Sequence, residues 1–307
     1  MTPQAGSDAR ARRAAWCIAL LTMVCVLAWC VDGDPGALVG ASLQRPLSMV
    51  TTVPSVAGGS THAGGNPLRR EDEASAPAAA SSPRVAARRA WLGTDPLGRD
   101  VFVRVAHGAR ISILLATTAT VVALVLGALL GAIAGAGRGI VDTVVMRISE
   151  VVMVLPALYV LLAVRASLPL VIEPSTLFGV TALVLGVLGT PFVARATRAV
   201  IVSERSRDFV LAAIGNGAGW GRIVLRHLIP QTWSVVAAQA LVLFPAFLLA
   251  EATMSFAGLG FPTDKPSWGT LLQDAASVRV LDSAPWLLAP VVAMALTVWV
   301  VNLAAGE

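Results

Sequence analysis

The sequence predicts an all-α integral membrane protein with six transmembrane helices. Two numbers and one pattern carry that expectation. Of 307 residues, 56% are hydrophobic and 13% charged, against about 25% charged in an average soluble domain. Mean hydropathy is +0.76. Six apolar runs approach or exceed the length of about 20 residues that a bilayer-spanning helix needs. A soluble domain of this size cannot hide so much apolar surface, so composition excludes an ordinary soluble enzyme and a disordered chain.

The elements follow in order. Residues 1–13 are a short polar N-terminus with Arg10, Arg12 and Arg13. Ala14–Val31 is the first expected span, residues 14–31. Its rival reading is a cleaved lipoprotein-type signal ending at Cys30, which the bulky Trp29 disfavours. Residues 32–90 form an expected extracytoplasmic loop, within which Thr51–Arg89 is an Ala/Ser/Gly/Pro-rich linker. From Trp91 the composition changes. Gly93–Asp100 is dense in turn formers and charge, and Val101–Arg110 is expected as a short surface helix. Ile111–Ala136 is the second span, Ile148–Val164 the third, Leu177–Val193 the fourth, Trp233–Ala250 the fifth and Pro285–Leu303 the sixth. Residues 91–307 therefore read as the main transmembrane domain.

Arginines in short loops set the orientation. With the N-terminus inside, the inside segments hold Arg138 and Arg147, then Arg195, Arg198, Arg205, Arg207, Arg222 and Arg226. The short outside segments hold Arg165, Arg279 and Lys265. Six spans then place both termini in the cytoplasm. The basic first loop is long, and long loops translocate largely regardless of charge.

Residues 195–230 form the longest inside segment. Asp208–Ile214 and Trp220–Ile229 read as two short helices, with a tight glycine turn, Gly215-Asn216-Gly217-Ala218-Gly219, between them. Arg222 and Arg226 stand four apart, on one helical face. Such a helix–turn–helix is suited to docking.

Several functions are excluded. The single lysine, Lys265, lies in Thr263-Asp264-Lys265-Pro266, which is no phosphate-binding loop. Any nucleotide chemistry belongs to a partner. Cys17, Cys25 and Cys30 form no CxxC, and His62, His107 and His227 are far apart, so no metal or cofactor site is expected. Neither HExxH nor GxSxG occurs, which argues against an intramembrane hydrolase. The arginines are scattered among apolar runs, unlike a nucleic-acid-binding face. An ion-gradient-driven secondary transporter would need ionisable groups at mid-membrane, and the spans offer little beyond Glu150 and Glu251. Glu150 is expected to pair with Arg147 at the interface. Glu251 is a candidate for the gate or pathway, or else for a helix-end contact. Pro245 is expected to kink the fifth span, and Gly127, Gly131 and Gly135 to allow close helix packing. Trp268 reads as an interface anchor or a contact for an external partner.

These stretches carry a resemblance. Phe209–Ala218 followed by Arg222–Pro230 is similar to the cytoplasmic "EAA" loop of bacterial binding-protein-dependent ABC importers. Gly93–Asp100 with Gly108–Ser112 resembles the segment before the second span of dipeptide/oligopeptide/nickel permeases, most closely their dipeptide "C" subunits. Asp142–Arg147 with Leu155-Pro156 resembles their second-to-third junction. Glu251–Gly260 with Pro266–Gly269 resembles the end of their fifth span. Together these blocks cover about two-thirds of the chain.

The resemblance implies a type I (MetI-like) importer permease that pairs with a second, different permease. Two ATPases, which hold ATP and magnesium, would dock beneath the pair, and an extracytoplasmic solute-binding protein would deliver di- or oligopeptides. Import of nickel or another small solute is the alternative. The coupling residues it implies are Leu211, Ala212, Ala213, Gly217, Arg222 and Arg226. Two positions depart from the family pattern: Leu211 stands where a Glu is usual, and Ile214 where an Arg is.

Overall fold

The structure is a computed structural model that describes residues 90–137, 139–169, 172–262, 264–276 and 284–305. The expected first span, Ala14–Val31, and the linker Thr51–Arg89 lie outside the described residues. Among the described residues the regular structure is helical, with turns between the helices and an isolated bridge between Thr94 and Asp100.

Helix α1, Val101–Ala136, has 36 residues, about 54 Å at 1.5 Å per residue. That exceeds the roughly 30 Å hydrocarbon core, so its ends emerge. The expected separate surface helix at Val101–Arg110 is instead the first turns of α1. No proline or glycine pair interrupts the register there, and the Asp100 carboxylate caps the helix by accepting the Phe102 N–H at 2.8 Å.

The third span is broken. Helices α2, Ile140–Val154, and α3, Ala157–Ser167, meet at 81°. Pro156 is the cause: it forces Leu155 into extended backbone (φ −69°, ψ 123°) and ends α2. Helix α4, Pro174–Glu204, runs 31 residues straight through Pro191.

Helices α1 and α4 run parallel. Gly186 of α4 faces Ala119 and Val122 of α1, and Gly127, Gly131 and Gly135 then meet Val193, Ala194 and Ile201 in turn. Because α1 and α4 point the same way, the chain must return between them, and the bent α2–α3 pair lies in that return. The glycine seam sets the separation: a Cβ on Gly131 would stand 2.5 Å from the Ala194 carbonyl oxygen, so only a glycine allows this approach.

A small helix α5, Asp208–Gly215, follows. After one turn, α6 (Trp220–Ile223), the chain passes through a π turn at Val224–Leu228 and a 3₁₀ turn at Ile229–Thr232 into α7, Trp233–Met254. The expected separate helix Trp220–Ile229 is thus the root of a continuous helical run, Trp220–Leu259. Pro245 is buried in α7, which passes it without a break. A kinked turn, Ser255–Leu259, with Gly258 at φ +84°, ends that run. Helix α8, Trp268–Ala275, and helix α9, Ala289–Ala305, complete the chain, the last entered through a 3₁₀ turn at Pro285–Leu288.

The main core joins Ile113, Ala116 and Ala119 of α1 to Leu185 and Val193 of α4, Phe244, Phe247 and Leu248 of α7, and Trp268 and Leu271 of α8. Helix α8 lies at the end of the bundle where α1 begins, hereafter the cap end. Helices α5 and α6 lie where α1 ends, hereafter the knob end.

Candidate functional site

At the knob end, α5 and α6 form a helix–turn–helix seated on the bundle. Gly217 sits in the turn at φ +80°, a left-handed conformation that costs a glycine little and a branched residue much. Its N–H donates to the Ile214 carbonyl at 2.9 Å, and the Ala218 N–H to the Ala213 carbonyl at 3.0 Å, closing α5.

The knob has its own foundation. Val210, Ile223 and Leu228 are fully buried against Ala132 of α1 and Ile201 of α4. The Trp220 indole N–H donates to the Ala136 carbonyl at 3.2 Å, and Arg205 donates to the Gly135 carbonyl at 3.3 Å. Both use carbonyls that the end of α1 leaves without intrahelical partners. The rings of Phe209 and His227 stand 6.4 Å apart and tilted, joining the knob's two arms.

The side facing away from this foundation is apolar. Phe209 is 40% exposed, Leu211 55%, Ile214 47% and Leu225 69%. Arg222 and Arg226 are also exposed, as is Ala212, while Ala213 is half-buried. All six residues expected in the coupling loop therefore belong to one small body. The two departures from the family pattern, Leu211 and Ile214, both lie on its open surface.

The other candidates are not brought there. Glu150 pairs with Arg147 at 2.9 Å, and these side chains are 47% and 78% exposed. A pair so open contributes little. Pro245 is packed in the core. Glu251 lies at the cap end, fully buried, where Ser112 and Ser255 donate to its two oxygens at 3.0 and 2.7 Å. Trp268 is neither an interface anchor nor an exposed contact. It is 2% exposed, and its indole N–H donates to the Val105 carbonyl at 3.0 Å. Its position at the start of α8, the helix that folds back onto α1, buries it.

Sequence reading missed two ionic clusters. At the cap end, Asp95 accepts from Arg99 at 2.7 Å and Arg104 at 2.5 Å, and Asp274 of α8 pairs with Arg104 at 3.0 Å. At the knob end, Arg198 of α4 grips Asp142 of α2 with a two-pronged pair, Nη2 to Oδ2 at 2.5 Å and Nε to Oδ1. The signals were present, a charge-dense turn at Gly93–Asp100 and an isolated Asp142. The partners, however, lie on other helices.

Residues 124–306 match the family described as the inner membrane component of binding-protein-dependent transport systems. Among similar proteins, one of Brucella suis named as a peptide permease is 37% identical over 213 residues, 69% of this chain and 68% of its own. The di/tripeptide transport system permease of Pseudomonas aeruginosa is 32% identical over 70% of this chain and 69% of its own. The oligopeptide transport system permease of Bacillus subtilis is 32% identical over 64% and 62%. Such a component is a membrane permease rather than an enzyme, works with a partner permease, an ATPase and a solute-binding protein, and binds no cofactor itself. The chain belongs to the family of inner-membrane permease components of binding-protein-dependent ABC importers.

Proposed function

We propose that this chain is one of two different permease subunits forming the translocation path for di- and oligopeptides. The names of its relatives, which cover di/tripeptides and oligopeptides, support that substrate class. The knob end faces the cytoplasm and docks on two ATPase subunits, which hold ATP and magnesium. The cap end faces the solute-binding protein, and both termini are cytoplasmic. The positive-inside count supports this sidedness, because Arg195, Arg198, Arg205, Arg207, Arg222 and Arg226 gather at or near the knob.

One observation carries the docking assignment: the knob buries one face in a dedicated core and leaves a compact apolar face open beyond the bundle's end. A partner cleft that covers Leu211, Ile214 and Leu225 gains roughly 1 kcal/mol for each half-exposed side chain buried. The basic Arg222 and Arg226 beside them suit an acidic rim.

The experiment is Gly217→Val in the assembled transporter. No atom lies near enough to obstruct the added Cβ, so the substitution acts through backbone strain, about 1–3 kcal/mol at φ +80°. The expected outcome is normal membrane levels, reduced uptake, and ATPase activity no longer stimulated by the binding protein. Unchanged coupled transport overturns the assignment.

A further inference from the structure

The cap end holds a buried carboxylate that this reading leaves without a role. Glu251, near the end of α7, is fully buried and forms no ion pair among the described residues. Two hydrogen-bond chains converge on it instead. In the first, the Trp268 N–H donates to Ser112 Oγ at 3.1 Å, and Ser112 donates to Glu251 Oε2 at 3.0 Å. In the second, the Thr270 N–H donates to Ser267 Oγ and Ser267 to Ser255 Oγ, each at 3.3 Å. Ser255 then donates to Glu251 Oε1 at 2.7 Å.

Both chains start at backbone N–H groups in the first turn of α8, the positive end of that helix. Both end on the same carboxyl group, which satisfies its two oxygens. One side chain thereby fastens α8 to α1 and α7. The surfaces are pressed together, since a Cβ on Gly269 would stand 2.6 Å from the Ala252 carbonyl oxygen.

Directly beyond Glu251, α7 ends in the kinked turn Ser255–Leu259. Gly258 stands there at φ +84°, outside helical backbone, so the helix is kinked and can change direction at this glycine. The turn is held from its far side too: Arg165, at the end of α3, donates Nε to the Leu259 carbonyl at 3.0 Å. The turn is therefore clamped between α3 and the Glu251 network.

We propose that Glu251 and Arg165 form a latch that holds the cap end of the translocation path shut, with the kink at Gly258 as its hinge. A latch of this chemistry is poised to open. Breaking it returns a carboxyl and a guanidinium to water, and their hydration offsets much of the lost hydrogen bonding. An apolar seal would have no such compensation. The inference rests on the importer reading, in which the cap end alternates between closed and open.

Linkage makes the latch measurable. If the open cap is the state that hydrolyses ATP, weakening the latch raises the open population, and hydrolysis rises without the binding protein. The experiment uses the whole transporter in proteoliposomes, with Arg165→Gln and Glu251→Gln, measuring ATPase activity per assembled complex with and without binding protein. Losing one charge-assisted hydrogen bond shifts a two-state balance by about tenfold. Each variant is therefore expected to raise binding-protein-independent activity by up to about that factor. Arg165 is only half-buried, so its variant assembles even if Glu251→Gln does not. Unchanged basal activity per complex in Arg165→Gln overturns the latch. Failure of the docking assignment is read separately, as unchanged stimulation in Gly217→Val.

Discussion

At the cap end, Asp95, Arg99, Arg104, Glu251, Ser112 and Ser267 are buried. At the knob end, Phe209, Leu211, Ile214 and Leu225 stand in the open. Buried charge is thus concentrated at the cap end, although the cap also exposes Trp91 and Leu97. The cap pairs its buried charges within the chain: Asp95 with Arg99 and Arg104, Asp274 with Arg104, and Glu251 with serines that reach the first turn of α8. The knob buries only what it needs to stay attached and leaves apolar surface unused. Exposed apolar side chains clustered on a polar segment mark contact surfaces, whereas buried charges mark places where one arrangement is specified over others. On the proposed function, the contrast separates an end whose charges are paired within the chain from an end whose apolar face is left for a partner.

The largest test of that contrast is Arg104→Ala. It removes the fully buried cation between Asp95 and Asp274 and leaves Arg99 as their remaining partner, which costs up to about 3–5 kcal/mol. Thermal unfolding of the purified protein in detergent is expected to shift well down, with less folded protein in the membrane. Wild-type stability would mean that the cap charges are hydrated and not a closed network.

A smaller effect is expected from Leu211→Glu. The free subunit should keep its stability within about 0.5 kcal/mol, since the side chain is exposed. Docking should weaken by about 1–3 kcal/mol, because a carboxylate would be buried without a partner in an apolar contact. Substrate-stimulated ATPase activity is the readout. An increase would show that Leu211 interrupts an ionic contact and does not replace it with an apolar one.

The smallest effect belongs to Glu150→Gln. Its pair with Arg147 is exposed on both sides, so uptake and stability should stay within about 0.5 kcal/mol of the parent. Loss of uptake at normal protein levels would place Glu150 on the substrate path.

The two ends also differ in how legible they were. The knob is local: its helices, glycine turn and arginines fall within residues 195–230, and periodicity and turn chemistry predict them. The cap is not. Ser112 and Glu251 are 139 positions apart, Trp268 and Ser112 are 156 apart, and Trp286 reaches the Thr94 carbonyl over 192. No sequence pattern carries such pairings, which is why Trp268 read as a surface residue and Glu251 stayed undecided between gate and helix-end contact. Proline gave a mixed signal for a related reason. Pro156 breaks its span, whereas Pro191 and Pro245 sit inside α4 and α7, packed against neighbouring helices. The glycine seam was legible because a four-residue period of small residues marks one packing face wherever the partner lies.

Site-directed cross-linking in the assembled transporter tests the central claim most directly. A photoreactive residue is placed at Leu211 on the knob and, in a separate variant, at Leu97, which is exposed on the cap. The account predicts that Leu211 cross-links to an ATPase subunit and Leu97 does not. Cross-linking of the ATPase at Leu97, or its absence at Leu211 in a transport-competent complex, would contradict it.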